Sequence, residues 1–242
     1  MTTNINDQMV LIGGESGTGK SMSLANLKNQ ERVLYLNCEA GKRLPFKNKF
    51  LSKTITEPHQ VYEAFDYVNG NKDYDTVVVD TITFLLDMYE SQYIAGVPDG
   101  RAAWGEFAQY FKKLMQDYAA KSDKSVIFLA HTLTWYDEKS MQMKTSVPVK
   151  GALKNNGIEA YFSTVVSTKK VELTKLEPYH SDLLNITDTD KMLGYKHVFQ
   201  TQLTKETVGD RIRSPIGMFS TAQTYIDNDA QLLLDHLKDY YS

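Results

Sequence analysis

The sequence predicts an α/β domain with a mostly parallel central sheet, flanked by helices and extended by antiparallel strands toward the C-terminus. Apolar runs at 9–12, 76–80 and 125–130 have the length and β-branched content of buried parallel strands. The segment 104–120 places its apolar residues at helical spacing. After residue 151 the chain alternates between short apolar segments and turn residues, which is typical of antiparallel strands.

The composition limits the possible classes of protein. The chain has 242 residues, 42% of them hydrophobic and 24% charged, which suits one large globular domain and excludes a disordered chain. The single cysteine, Cys38, excludes an internal disulfide. No apolar run approaches the ~18 residues of a membrane span, and the polar tail 1–8 lacks the basic start of a secretory signal. We therefore expect a cytoplasmic protein with no membrane partner.

The most specific motif is a glycine-rich loop at 14–21 that fits G-x-x-x-x-G-K-[ST], with strand 9–12 before it and a predicted helix at 22–30 after it. Such a loop turns its backbone N–H groups toward phosphates. Lys20 would reach the β- and γ-phosphates, and the Ser21 hydroxyl would ligate Mg²⁺. The predicted nucleotide contacts are Gly14, Glu15, Ser16, Gly17, Thr18, Gly19, Lys20, Ser21 and Met22.

Two carboxylates follow buried strands. Asp80 ends the strand 76–80, where a carboxylate would support Mg²⁺ beside the phosphates; the alternative is that it caps the helix that begins near residue 82. Glu39 follows the strand 32–38, where it could orient and deprotonate a water for attack on the γ-phosphate. The alternative for Glu39 is an ordinary surface residue at a strand end.

The loop 14–21, the strand that ends at Glu39 and the strand that ends at Asp80 stand in the order and spacing of RecA-type recombinase cores. From about residue 9 to 218 the chain resembles this family, and most of all the short phage proteins that carry little more than its ATPase core. The resemblance implies one RecA-like domain over 1–242 that hydrolyses ATP with Mg²⁺ and uses Glu39 as catalytic base. It also implies a γ-phosphate sensor at His131, after the strand 125–130, and an aromatic near the adenine, for which Phe46 is the candidate.

RecA-like cores bind single-stranded DNA through two loops, which would lie here at 93–106 and 133–151. Cations that follow phosphates, mixed with aromatics that stack on bases, suit such binding. Four lysines and no carboxylate stand between 139 and 158, although chance clustering is an alternative. Trp104 has its own alternative, packing in the core at the start of helix 104–120. The candidate DNA contacts are Arg101, Trp104, Trp135, Tyr136, Lys139, Lys144 and Lys150.

Beyond residue 151 we predict strands at 161–167, 169–176, 197–203 and 218–225, and a C-terminal helix at 226–242. Arg211 and Arg213 point the same way on an extended segment. The resemblance implies that such a cation reaches a neighbouring subunit's nucleotide, in a homo-oligomer; an exposed cation pair is the alternative.

We therefore expect a DNA-stimulated ATPase that acts on single-stranded DNA in phage-type recombination, annealing or repair. A single-strand DNA-binding protein is a further candidate partner. Two alternatives stay open: a motor or loader ATPase whose partner is a protein, and a small-molecule P-loop kinase.

Overall fold

The computed structural model describes residues 6–242 and contains one eight-stranded sheet and a separate two-stranded hairpin. The predicted N-terminal tail, 1–8, lies largely outside the described residues. The strands are β1 (Met9–Gly14), β2 (Val33–Asn37), β3 (Leu51–Thr54), β4 (Thr76–Asp80), β5 (Ser125–His131), β6 (Leu133–Asp137), β7 (Gln142–Ser146), β8 (Thr164–Glu172), β9 (Tyr195–Gln200) and β10 (Tyr225–Asp227). The large sheet has the order β10-β9-β8-β1-β5-β4-β2-β3, whereas β6 and β7 form the hairpin.

The helices cover both faces of this sheet. They are α1 (Gln60–Val68), α2 (Ile82–Tyr89), α3 (Gly100–Lys113), α4 (Leu153–Asn156), α5 (Leu173–Leu176), α6 (Asp188–Leu193) and α7 (Ala230–Tyr241). The end of α2 runs into a π-helical turn, Glu90–Ile94, and α3 runs into another, Leu114–Tyr118. Among residues 6–242, no helix is long and apolar enough to span a membrane.

The sheet separates two apolar cores because alternate residues of each central strand point to opposite faces. On β1, Leu11 joins the core beneath α1, α2 and α3, while Val10 and Ile12 join the core beneath α7. Every residue of β1 and β4 is buried, as expected for strands covered on both faces. The α/β architecture, with six neighbouring strands joined in parallel and β8, β9 and β10 in antiparallel pairs, confirms the predicted fold class.

The predicted helix at 22–30 is wrong. The structure has a short 3-10 turn at Ser21–Leu24 and irregular chain beyond it, up to another such turn at Gln30–Arg32. The Ser23 hydroxyl donates to the Lys20 carbonyl at 2.6 Å, and Asn29 adopts a left-handed conformation. Serine and asparagine side chains of this kind compete with helical hydrogen bonds.

The second predicted DNA loop is also more regular than expected, because most of 133–151 is the β6–β7 hairpin, with Met141 at positive φ in its turn. Likewise, most of 93–106 is helical, since α3 begins at Gly100. Toward the C-terminus, β8 runs unbroken across the predicted boundary between 161–167 and 169–176. The predicted strand 218–225 shrinks to β10, at Tyr225–Asp227.

Candidate active site

A cleft of about 450 Å³ opens where the parallel strands β1, β2, β4 and β5 end. In parallel sheets the carboxyl ends of the strands form the usual ligand-binding edge. The register brings the ends together, because Gly14 pairs with His131 and Asn37 pairs with Asp80. The cleft is lined by Ser16, Gly17, Gly19, Lys20, Ser21, Met22, Tyr35, Glu39, Lys42, Arg43, Leu44, Pro45, Asp80, His131, His197 and Asn228.

The phosphate loop wraps around the Lys20 side chain. Its ammonium donates to the carbonyls of Gly14 at 2.9 Å and Glu15 at 2.8 Å, and the residue is only 6% exposed. Burial lowers the pKa of Lys20 to about 8. Gly19 has φ +107°, a conformation that a residue with a Cβ rarely adopts. An anion that enters the loop would therefore meet a preformed cation.

The Asp80 carboxylate lies at the bottom of the cleft and is 2% exposed. Its Oδ2 accepts hydrogen bonds from the Tyr35 hydroxyl at 2.7 Å and the Ser21 hydroxyl at 3.2 Å. Its Oδ1 is buried and accepts no hydrogen bond from any residue in 6–242. Burial raises the pKa of Asp80, because the charged form loses water. A buried carboxylate with one unpartnered oxygen has a strong requirement for a cation or a donor.

These oxygens fit a magnesium ion. Mg²⁺ prefers carboxylate, hydroxyl and water oxygens and is usually held by one or two protein groups together with substrate phosphates. Asp80 Oδ1 and Ser21 Oγ supply two such oxygens beside the phosphate loop. Within the described part of the chain, no group of three or more His, Cys, Asp or Glu residues could hold a metal by itself. The ion would therefore need the nucleotide as a further ligand.

Glu39 lines the same cleft and is held by two donors. Its Oε1 lies 3.1 Å from His131 Nε2, and its Oε2 accepts from Lys42 Nζ at 2.8 Å. Since a carboxylate only accepts, His131 Nε2 carries a proton. The hydrogen bond from His131, and then that from Lys42, lower the pKa of Glu39 to about 2 against the opposing effect of burial. The carboxylate is thus ionised and fixed in position.

His131 lies between this cleft and a second cavity. Its backbone N–H donates to Thr83 Oγ1 at 3.1 Å, and its ring packs edge-on against Phe84. The second cavity, of about 650 Å³, lies beside α2, α3 and the β6–β7 hairpin, and Trp135 and Lys150 are among its lining residues. His131 therefore lines both cavities while its ring contacts Glu39.

The hairpin exposes aromatic side chains and also contacts the phosphate loop. Trp135 is 43% exposed and Tyr136 is 54% exposed. Thr134, between Leu133 and Trp135 on β6, donates from its hydroxyl to Glu15 Oε1 at 2.8 Å. The strand β6 thus connects the predicted phosphate contact Glu15 with the predicted DNA contacts.

The basic DNA candidates differ in their surroundings. Lys144 forms an ion pair with Asp137 across the hairpin, and Lys150 donates to both Glu90 oxygens at 2.8 Å. Lys139 follows β6 in the exposed hairpin turn, where its backbone N–H donates to Asp137 Oδ1 at 3.2 Å.

The remaining candidates on the first predicted loop lie on α3. Arg101 is exposed on this helix. Trp104 is partly buried against the core, with its ring 5.4 Å from that of Phe107 in an edge-to-face contact. The core-packing alternative therefore describes the position of Trp104, and its DNA contact stays a prediction.

Three further candidates lie outside the cleft. Phe46 packs edge-to-face on Phe50 and joins the core instead of the lining residues, so the predicted adenine contact has no support from its position. Arg211 Nη1 contacts the buried Glu159 at 3.3 Å within the same chain. Arg213 is exposed on the segment that bridges to β8.

Sequence reasoning missed seven lining residues, of which two are basic: Tyr35, Lys42, Arg43, Leu44, Pro45, His197 and Asn228. The two basic residues follow Glu39 closely, so their charge next to a candidate catalytic carboxylate was a usable signal. His197 and Asn228 come from the C-terminal strands, more than 170 positions beyond the phosphate loop, and reach it only through the sheet order. No local pattern marks them.

The comparison with protein families agrees with this geometry. A family model described as an AAA domain matches residues 6–210. A search of curated proteins found no match. The family match supports the nucleotide-binding ATPase part of the resemblance to RecA-type cores. The matched residues include β1, β2, β4 and β5, whose ends form the cleft. The chain therefore belongs to this AAA-domain family of P-loop ATPases.

Proposed function

We propose that the protein hydrolyses ATP with Mg²⁺ in the cleft and couples hydrolysis to binding of single-stranded DNA on the β6–β7 hairpin. One observation carries the proposal. Lys20, Asp80 and Glu39, from three separate segments, line one cleft, and His131 joins Glu39 to the cavity beside the hairpin.

For hydrolysis, Lys20 neutralises the β- and γ-phosphates, and Ser21 and Asp80 hold the metal. When bound, Mg²⁺ supplies charge neutralisation of the phosphate oxygens. Glu39 accepts a proton from the attacking water. The oxygen of this water forms a bond to the γ-phosphorus, and the bond between the γ-phosphorus and the leaving oxygen of ADP breaks. The products are ADP and inorganic phosphate.

The same geometry provides a way for the bound nucleotide to make Glu39 a stronger base. With a pKa near 2, Glu39 is a poor base while His131 and Lys42 both donate to it. If the phosphates of a bound nucleotide attract the Lys42 ammonium away from Glu39, the Glu39 carboxylate loses one of its two donors. The pKa of Glu39 would then rise toward its ordinary value, and its ability to accept a proton would increase.

Binding of single-stranded DNA is supported by exposed side chains on the hairpin. Trp135 and Tyr136 can stack on bases, and Lys139 in the turn can contact phosphates. The bond from Thr134 to Glu15 gives the phosphate loop a direct contact with this hairpin. Recombination, annealing or repair are the processes that such coupling would serve. In this proposal Arg213, which is exposed, supplies the cation for a neighbouring subunit in a homo-oligomer.

A second candidate function, a motor or loader that acts on a protein partner, is favoured by one observation. The hairpin also exposes the apolar side chains of Leu133, Met141 and Met143, at 59%, 76% and 53%. Ion pairs already engage Lys144 and Lys150. Apolar surface and paired charges suit a protein interface better than a polyanion.

The ATPase rate with and without single-stranded DNA, at two salt concentrations, separates these functions. We expect stimulation by DNA and binding that weakens steeply with salt. Tyr136→Ala should weaken DNA binding about tenfold, because one stacked base contributes ~1–3 kcal/mol. Tyr67→Ala is the matched control, since Tyr67 is another exposed tyrosine, at 65%, on α1. ATPase activity without stimulation or DNA binding would contradict the DNA proposal and favour the protein partner.

A further inference from the structure

The C-terminal part of the chain supplies two lining residues of the nucleotide cleft. His197 lies on β9, and Asn228 directly follows β10, before α7 begins at Ala230. Both residues line the cleft. The family match ends at residue 210, so Asn228 belongs to a part of the chain that the family model does not cover.

Both side chains are fixed against the phosphate loop. His197 Nδ1 lies 2.8 Å from the Thr18 carbonyl oxygen, and since a carbonyl only accepts, Nδ1 carries the proton. Asn228 Nδ2 donates to the Gly19 carbonyl at 2.9 Å. The contact is close, because a Cβ at Gly19 would lie 2.7 Å from Asn228 Nδ2. The carboxamide is therefore oriented by the loop that binds phosphates.

With its amide nitrogen used, Asn228 keeps one polar atom unsatisfied. Its Oδ1 is buried and has no hydrogen-bond partner among residues 6–242. A buried acceptor without a partner costs about 1–3 kcal/mol, so such atoms usually meet a donor in the functional state. A carboxamide oxygen is satisfied by a hydrogen-bond donor or by a hard cation, and the one cation proposed for this cleft is assigned to Asp80 and Ser21.

The lining of the cleft combines the groups of the phosphate site with apolar side chains. Lys20, Ser21 and Asp80 belong to the first set, while Met22, Leu44 and Pro45 supply apolar surface in the same cleft. A purine and its ribose suit this apolar surface, and both carry donors: the exocyclic amine of adenine and the ribose hydroxyls. Phosphate oxygens carry none at neutral pH, so the triphosphate cannot satisfy Asn228 Oδ1.

We propose that Asn228 is a nucleotide-specificity residue, whose Oδ1 accepts a hydrogen bond from the nucleoside part of ATP while its Nδ2 braces the phosphate loop. The inference rests on the placement of ATP in this cleft. It adds a ligand contact from the C-terminal strands, and it assigns the two ends of one side chain to separate tasks.

The two tasks respond differently to substitution. Asn228→Ala removes both the Nδ2 donor and the Oδ1 acceptor. Loss of the brace weakens every triphosphate equally, because all of them use the phosphate loop. Loss of the acceptor weakens only those nucleotides that carry the donor. The ratio of affinities therefore reports the Oδ1 contact alone, whereas a merely structural role would leave each ratio unchanged.

The experiment measures Kd for ATP and for three analogues, each lacking one donor: purine riboside triphosphate without the 6-amino group, 2′-deoxy-ATP and 3′-deoxy-ATP. In the native protein, one analogue should bind about tenfold more weakly than ATP. In Asn228→Ala that ratio should fall to about one. Ratios that are the same in both proteins would overturn the proposal. The analogue that responds identifies whether the donor is the amine or a hydroxyl.

Two control variants complete the test. Asn26→Ala removes a 2.7 Å hydrogen bond to Asp229, the neighbour of Asn228, from outside the cleft, and should leave all ratios as in the native protein. Lys20→Ala should abolish binding of every triphosphate. If Lys20→Ala binds ATP normally, both the placement of ATP and the role of Asn228 fail. If only the Asn228→Ala ratios stay unchanged, the proposed function survives and this inference does not.

Discussion

Tyr35→Phe removes one hydroxyl group that donates to the buried carboxylate of Asp80, the proposed metal ligand. The Tyr35 hydroxyl donates to Asp80 Oδ2 at 2.7 Å, and the two residues are 4% and 2% exposed. Phenylalanine fills the same space beside Phe50, so the apolar packing changes little. The loss is therefore confined to a hydrogen bond with a charged acceptor, which contributes about 1.5–3 kcal/mol.

Two effects should follow from this substitution. The free energy of unfolding should fall by about 2 kcal/mol, as measured by urea denaturation at neutral pH without nucleotide. In addition, the pKa of Asp80, already raised by burial, should rise further, because the hydrogen bond from Tyr35 lowers it. Since a metal ligand must be deprotonated, the Mg²⁺ concentration needed for half-maximal ATPase activity should increase as the pH is lowered, more steeply than in the native protein.

Tyr62→Phe is the matched control. The Tyr62 hydroxyl donates at 2.6 Å to a neutral acceptor, the backbone carbonyl of Tyr110, away from the cleft. Its loss should cost only about 0.5–1.5 kcal/mol and leave the Mg²⁺ dependence unchanged. If Tyr35→Phe unfolds like the native protein and needs no more Mg²⁺ at low pH, the account of Asp80 as a metal ligand tuned by this hydroxyl is refuted.

Two further predictions concern pH. Burial lowers the pKa of Lys20 to about 8, so the affinity for ATP should fall as the pH rises from about 7 to 9.5 and the ammonium loses its proton. Titration with a fluorescent ATP analogue at each pH measures this affinity. An affinity that does not change with pH would contradict the prediction. Hydrogen bonds from His131 and Lys42 lower the pKa of Glu39 from 4.5 to about 2, so the stability they contribute is complete above about pH 4.5 and is lost as pH falls toward 2. Lys42→Met should reduce this acid-dependent loss in a denaturation series, and an unaltered series would show that Lys42 does not act on Glu39.

The nucleotide site was accessible to sequence reasoning because its elements are local. A strand, a glycine-rich loop with Lys20 and Ser21, and two strands that end at Glu39 and Asp80 each carry a short signal. Parallel strands bring their carboxyl ends to one edge, so the convergence of these residues followed from the fold class. The roles of Glu39 as base and Asp80 as metal ligand stay predictions.

Features that depend on tertiary contacts were not accessible in this way. Asn228 reaches Gly19 only because β9 and β10 extend the sheet on the side of β8. The hairpin has no Asn-Gly or Asp-Gly turn to mark it, and Met141 takes the positive φ in its place. The helix expected after Ser21 does not form, because side-chain hydrogen bonds such as that of Ser23 compete with the helical backbone hydrogen bonds.

The central claim is that Glu39 activates water beside a triphosphate that Lys20 binds directly and Asp80 binds through a metal ion. Single-turnover hydrolysis of ATP by Glu39→Gln, with ATP affinity measured on the same sample, tests it most directly. The matched control is Glu57→Gln, since Glu57 also pairs with a histidine, His59 at 2.8 Å, but outside the cleft. The account predicts that Glu39→Gln binds ATP and hydrolyses it about 10²–10⁴ times more slowly, while Glu57→Gln keeps the native rate. A native hydrolysis rate in Glu39→Gln would contradict it.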